Sequence, residues 1–271
     1  MVSAEGPRRT TDVFIVGGGP AGLAASIAAR EQGLDVMVAD GAPLPIDKAG
    51  GEGVTPNGVA ALRSLGVEIR RHDAVPFRGI RFIVSGLHAD AAFVGEPGWG
   101  IRRTTLHHVL VERAAAVGVR LQWQTRVLGL IPGGALTDAG PVAISASRRL
   151  PAVTRGRVAL IGEASGSVDA TTGKGLSPIF RHALALADAL SSGDLRSYEA
   201  SHRRILRTPA FMARLLLAMD RSPWLRRRAL RAFTVEPGLF SRLLALHVGA
   251  FTPPRRALGS FCTLGWRLLT A

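Results

Sequence analysis

Cysteine is almost absent. Cys262 is the only one in 271 residues, which excludes an intrachain disulfide and any thiolate cluster for a metal. A reducing cytoplasm is the expected compartment. Lysine is nearly absent too, since 32 of the 34 basic residues are arginine. Acidic residues are scarce only towards the end: residues 196–271 hold 14 basic and 3 acidic side chains, against 20 and 17 in residues 1–195. The net charge of +14 is therefore mostly a C-terminal property. With so much Ala and Gly beside the arginine, GC-rich coding explains it better than selection for phosphate contacts. Aromatics make up only 6% of the chain, too few for base-stacking platforms, so no nucleic-acid partner is expected. Long hydrophobic runs are missing as well. The longest uncharged stretch, "VFIVGGGPAGLAASIAA" at 13–29, is broken by glycines and Pro20 and is too short to span a bilayer. The start "PRRTTDVF" has an arginine pair, but Asp12 interrupts it and no small-residue cleavage site follows, so export is not expected.

Glycine is abundant, and it is placed. "DVFIV" at 12–16 reads as a strand, "AGLAASIAAREQG" as a helix, and "LDVMVAD" at 34–40 as a second strand. Between the first two, Gly17, Gly19 and Gly22 form GxGxxG. Gly17 permits the sharp turn, Gly19 lets backbone approach a diphosphate, and Gly22 lets the helix sit close on the strand. Gly18, Pro20 and Ala21 complete the turn that aims a helix N-terminus at the diphosphate. Asp40 ends the second strand at the distance where a carboxylate accepts from a ribose hydroxyl and disfavours a 2′-phosphate. The expected ligand is FAD or NAD.

Two later stretches separate these. "GWGIRRTTLHHVLVERAAAVGVRLQWQTRVLGL" at 98–130 reads as an arginine pair opening an amphipathic helix, then strands "VRLQW" and "RVLGL". "RGRVALIGEASGSVDATTGKGL" at 155–176 reads as a buried strand and a glycine-rich loop, followed by the helix "SPIFRHALALADALSSG". A second glycine-rich loop so far along the chain returns it to the cofactor, which a simple NAD domain does not need.

These segments, with "DKAGGEGVTPNGVAALRSLGV" at 47–67, resemble the FAD-dependent oxidoreductases that include aromatic-hydroxylase-type monooxygenases, geranylgeranyl reductases and flavin-dependent halogenases. The resemblance implies that Arg103 supports the FAD diphosphate or ribityl region. It implies that the loop containing Gly51 lies near the flavin, and that the late loop, with Gly162, Glu163, Gly173 and Gly175, closes over the ribityl chain. The expected fold is a doubly wound, Rossmann-like α/β FAD domain with strands near 12–16, 35–39, 119–122 and 157–161, a reduced antiparallel substrate sheet, and a helical C-terminal layer. The FAD domain is expected over 1–75 and 99–195, a residual substrate hairpin over 76–98, and basic helices over 196–271.

The chain departs from that family in three places. Glu163 stands where the late loop normally has Asp, and Lys174 where it usually has an acid. The Asp-Gly motif that serves both FAD and NADPH, with most of a substrate sheet, is replaced by "IPGGALTDAGPVAISASRRLPAVT". A substrate domain needs on the order of a hundred residues, so the chain reads as an internally shortened relative. No catalytic residue is assigned, because flavin oxygenases need no protein nucleophile.

Other chemistry fits worse. Val168 occupies the glycine position that a triphosphate loop needs before Gly173-Lys174. His107 and His108 are adjacent on a helix and cannot share a metal from one face, so one buried and one exposed residue is expected. Ser165, Ser167 and Asp169 lack a nearby histidine and a GxSxG elbow. The basic end reads as three amphipathic helices punctuated by "SPW" and "EPG". These can pack on the sheet with arginines outward, or meet a membrane surface with arginine opposite Leu, Phe and Trp; a homodimer could cover an exposed sheet. The leading expectation is a NAD(P)H-using flavoprotein monooxygenase acting on a small apolar or aromatic substrate. The alternatives are a geranylgeranyl-reductase-like reductase of C=C bonds and a flavin-binding partner without turnover of its own.

Overall fold

The computed structural model describes residues 10–47, 52–84, 86–129, 150–166 and 176–249. β1 (Val13–Val16), the helix α1 (Pro20–Glu31) and β2 (Val36–Ala39) follow one another as the sequence predicts. β1 and β2 pair in parallel, Val13 opposite Val36 and Val16 opposite Ala39. α1 is the crossover. All but three of its residues are buried, because its alanines let other helices come close on one side while the sheet lies on the other.

Short antiparallel strands and one helix follow: β3 (Gly53–Val54), α2 (Pro56–Ser64), β4 (Ala74–Phe77), β5 (Gly79–Val84), β6 (Leu87–Ala92) and β7 (Gly98–Ile101). β3, β7 and β4 form one small sheet in that order, and β5 with β6 a separate hairpin. α3 (Arg103–Ala116) then leads into β8 (Arg120–Gln122), which joins the parallel sheet beyond β2 to give the order β1-β2-β8.

Two expected strands take another form. "RVLGL" forms no strand over its described residues, 126–129. The chain turns at Gln124, whose φ is +56°, and the Gln124 and Thr125 amides donate to the Ala42 and Asp40 carbonyls, so they serve the exit of β2 and not a new ladder. The strand expected at 157–161 is reduced to β10 (Val158–Ala159), paired antiparallel with β9 (Thr154–Arg155) and outside the parallel sheet. The backbone of Leu160 is satisfied elsewhere: its amide donates to Val153 and its carbonyl accepts from the Tyr198 hydroxyl at 2.8 Å.

After a 3-10 turn at Gly162–Ser165 come α4 (Ser177–Ser191), α5 (Leu195–Arg221), α6 (Pro223–Val235) and α7 (Pro237–His247). The last three are the basic helices read from the sequence, and Pro at the start of α6 and α7 sits where its missing N–H costs nothing. Ser222 caps α6 by accepting from the Leu225 amide. Two cores result. The larger joins α1 to α4 and the parallel sheet, with Leu23, Ile27, Leu62, Leu106, Leu110 and Phe180 fully enclosed. The smaller lies between the β5–β6 hairpin and α5–α7, where Phe240 stacks on both Phe82 and Phe233 at 5.1 and 4.8 Å. The C-terminal layer thus covers the β5–β6 hairpin.

Candidate functional site

The C-terminal ends of β1 and β2 hold the site. At the end of β1 the chain reverses through Gly17, whose φ of +103° suits glycine alone, and its amide donates to Ala39 at 2.8 Å. A Cβ on Gly22 would lie 1.9 Å from the Gly17 oxygen, so this glycine is what lets α1 start directly against the turn. A Cβ on Gly19 would meet nothing within 4 Å. Gly19 is also the N-cap of α1 and offers no side-chain cap, so it borders open space at the positive end of the helix, where the first-turn amides have no partner within the helix. Pro20 contributes no donor there.

Asp40 closes the other side. Its carboxylate accepts from the Gly18 amide at 2.7 Å and from the Ala42 amide at 2.8 Å, and a carboxylate offers about four acceptor positions, so it retains capacity for a further donor. Gly18 has no room for a side chain, because the Trp123 ring would sit 2.4 Å from its Cβ. The Gly18 carbonyl accepts from His107 Nε2 at 2.8 Å, which sets the proton of this histidine on Nε2. His107 is buried and His108 exposed, as their adjacency predicts. Burial lowers the His107 pKa, opposed by its bond to Gly18. Sequence reasoning assigned it no place in the site; Gly18 lies 89 positions away.

The late loop arrives beside this turn. Gly162 has φ +62°, and a Cβ there would come 2.6 Å from that of Ala21, so the loop packs on the first turn of α1. Glu163, next along, acts electrostatically on Arg103 together with Asp47. Arg103 opens α3 and is half-buried; burial lowers its pKa, while the two carboxylates pull it upward. The structure therefore brings Gly17, Gly18, Gly19, Pro20, Ala21, Gly22, Asp40, Arg103, Gly162 and Glu163 to one edge of the parallel sheet. Gly51, Gly173, Lys174 and Gly175 lie outside the described residues.

Behind the loop is a buried polar cluster that the sequence did not reveal. Ser165 donates to the Gly162 carbonyl at 2.7 Å, and His202 Nε2 lies 3.0 Å from the same hydroxyl oxygen. With the serine proton committed, His202 donates from Nε2, an anchor for the turn and not a base aimed at a nucleophile. The His202 ring stacks on His182 at 4.3 Å. Burial, aided by the charges of His202 and Arg181, pushes the His182 pKa from 6.5 down to about 3. An unfolded chain takes up this proton below pH 6.5 and the folded one does not, so stability is full above that pH and is lost on acidification. At pH 5 the loss expected from His182 is about 2 kcal/mol, and His182→Phe should flatten that part of the slope, read by urea unfolding between pH 7 and pH 5.

With this geometry in place, the family profile of the FAD binding domain matches residues 10–140. The stretch that carries the glycine turn, Asp40 and Arg103 therefore matches an FAD binding domain. The menaquinone reductase of Mycolicibacterium smegmatis is 37% identical over 124 residues, a match covering 43% of this chain and 30% of that enzyme. The menaquinone reductase of Mycobacterium tuberculosis strain H37Rv is 36% identical over 41% of this chain and 28% of its own length. The matched part is thus less than a third of either relative. The anhydrotetracycline hydroxylase OxyS of Streptomyces rimosus superposes with a TM-score of 0.72 at 16% identity, over 89% of this chain and 76% of its own. At that identity the likeness speaks for the fold alone. The open glycine turn, the uncapped helix end and the spare acceptor capacity of Asp40 fit a bound dinucleotide of the FAD kind.

Proposed function

We propose that this chain binds FAD across the two glycine loops and serves as a reductase of a quinone-class substrate. The observation that carries the reading is the 37% identity to a menaquinone reductase over 124 residues. That favours the reductase alternative over the monooxygenase expected first. FAD, when bound, supplies two-electron transfer between a donor and the substrate.

The protein's part is to hold and orient. The Ala21 and Gly22 amides, at the N-terminus of α1, would take the diphosphate. Asp40, already fixed by two backbone donors, would accept from the adenosine ribose. Arg103 would bring a positive charge to the diphosphate and ribityl side, balanced by Glu163 and Asp47. NAD(P)H is the proposed electron donor. For a substrate held in lipid, exposed Trp224 with Arg228 4.9 Å over its ring is suited to an anionic membrane surface.

The test is anaerobic turnover. FAD-loaded protein given NAD(P)H should lose its yellow band, and menaquinone should restore it with one substrate reduced per donor oxidised. The monooxygenase reading requires instead oxygen consumption matched to a hydroxylated product. Flavin that is bound but never reduced by NAD(P)H would leave the reading of a non-catalytic flavin-binding partner.

A further inference from the structure

We propose that the cavity between α2, α4, α5 and α7 is a binding site for a phosphate or diphosphate group, held by Arg181 and Arg204. It is built from parts of the chain that the FAD reading does not use, and it does not rest on that reading.

The cavity measures about 120 Å³, near the ~150 Å³ that accommodates a benzene-sized molecule and too small for a dinucleotide. It adjoins an open groove of about 410 Å³ along α4 and α5. Arg181, Arg204 and Ile205 line both, so the two guanidinium groups stand where the enclosed space meets the open one. Arg181 is half-buried and its pKa is lowered by burial and by the charge of Arg204. Two like charges are held together at the cost of desolvation, which an oxyanion between them would reverse.

Among the described residues no carboxylate pairs with either arginine, and none lines the enclosed cavity. Asp188 lines only the outer groove, and it too makes no ion pair among the described residues. Arg204 has a neutral partner, the Ser201 hydroxyl at 3.2 Å.

Neutral donors converge on the same space. Asn57 accepts the Thr55 hydroxyl at Oδ1, 2.7 Å away, which leaves its Nδ2 turned from Thr55. That Nδ2 lies 3.0 Å, and Arg181 Nη1 3.6 Å, from a single point, the Cβ position of Gly249. Thr208 lines the cavity as well. Donors that approach from several helices suit the several oxygens of a tetrahedral phosphate better than a planar carboxylate, which one guanidinium fork can satisfy. The mainly polar lining argues against an isoprenoid chain in this space.

The test is calorimetric titration of the full-length chain with inorganic diphosphate at low ionic strength. Saturating FAD keeps the Gly17–Gly22 turn from contributing. Diphosphate should bind, Arg181→Gln should weaken it about tenfold or more, and Arg204→Gln, on an exposed side chain, should weaken it by about threefold or more. Because the exposed Arg204→Gln should leave the fold intact, it decides the question alone if Arg181→Gln does not fold. Sedimentation with phosphatidylglycerol vesicles, against phosphatidylcholine, identifies the source. Arginine-dependent sedimentation that diphosphate competes away assigns a lipid headgroup, and calorimetric binding without sedimentation assigns a free phosphate compound. No diphosphate binding, or wild-type affinity in the folded variants, overturns the proposal.

Discussion

Gly22→Ala is expected to abolish FAD retention and to destabilise the fold by about 3 kcal/mol or more. The added carbon would lie 1.9 Å from the Gly17 oxygen, 3.1 Å from the Gly17 carbonyl carbon and 3.2 Å from Ile15 Cγ2. Two of these are backbone atoms, and Gly17 is tied to Ala39 by its own amide, so the turn cannot move without breaking the parallel pair. Gly19→Ala isolates the binding part of that effect. Gly19 has φ −72° and ψ 176°, ordinary for any residue, and its Cβ would meet no protein atom within 4 Å. Its stability should change by less than about 0.5 kcal/mol, while FAD affinity falls at least about tenfold because the methyl occupies the approach of the diphosphate. Urea unfolding and flavin titration of the two variants separate fold from site.

Asp40→Ala should cost FAD affinity about a hundredfold, and the fold about 3 kcal/mol. Its two oxygens accept the Gly18 and Ala42 amides, and hydrogen bonds to a charged group are worth about 1.5–3 kcal/mol each. The alanine variant leaves both amides without that partner and removes the acceptor proposed for the ribose. Asp40→Asn keeps one acceptor oxygen but sets an NH₂ against the second amide, so it should fall between the two in both stability and affinity. Equilibrium unfolding and flavin titration check the order.

What was legible in the sequence is what depends on neighbours along the chain. The strand-turn-helix at 13–31 follows from β-branched residues, glycines and an alanine-rich helix, with the turn at Gly17 and the close packing at Gly22 both in place. Pro223 and Pro237 marked helix starts because a missing N–H is harmless there. Contacts between distant segments stayed hidden. His202 reaches Ser165 across 37 positions and His107 reaches Gly18 across 89, and no periodicity encodes such pairs. "RVALIG" has the composition of a buried strand, yet Tyr198 and Val153 take the backbone bonds of Leu160. Local propensity for a strand was present, and tertiary partners decided the pairing. The cavity under Arg181 draws on α4, α5 and α7 and on α2, which lies far from the other three in sequence and meets them only in the fold.

The Gly17–Gly22 turn and the Gly162 loop are proposed to form one FAD site. The most direct test is the visible spectrum of the purified full-length chain, before and after incubation with FAD and gel filtration. A flavin band at about 450 nm should stay with the protein at one FAD per chain and be weaker in Gly19→Ala. A colourless protein that takes up no FAD, or one that retains it equally in Gly19→Ala, would contradict an FAD site there.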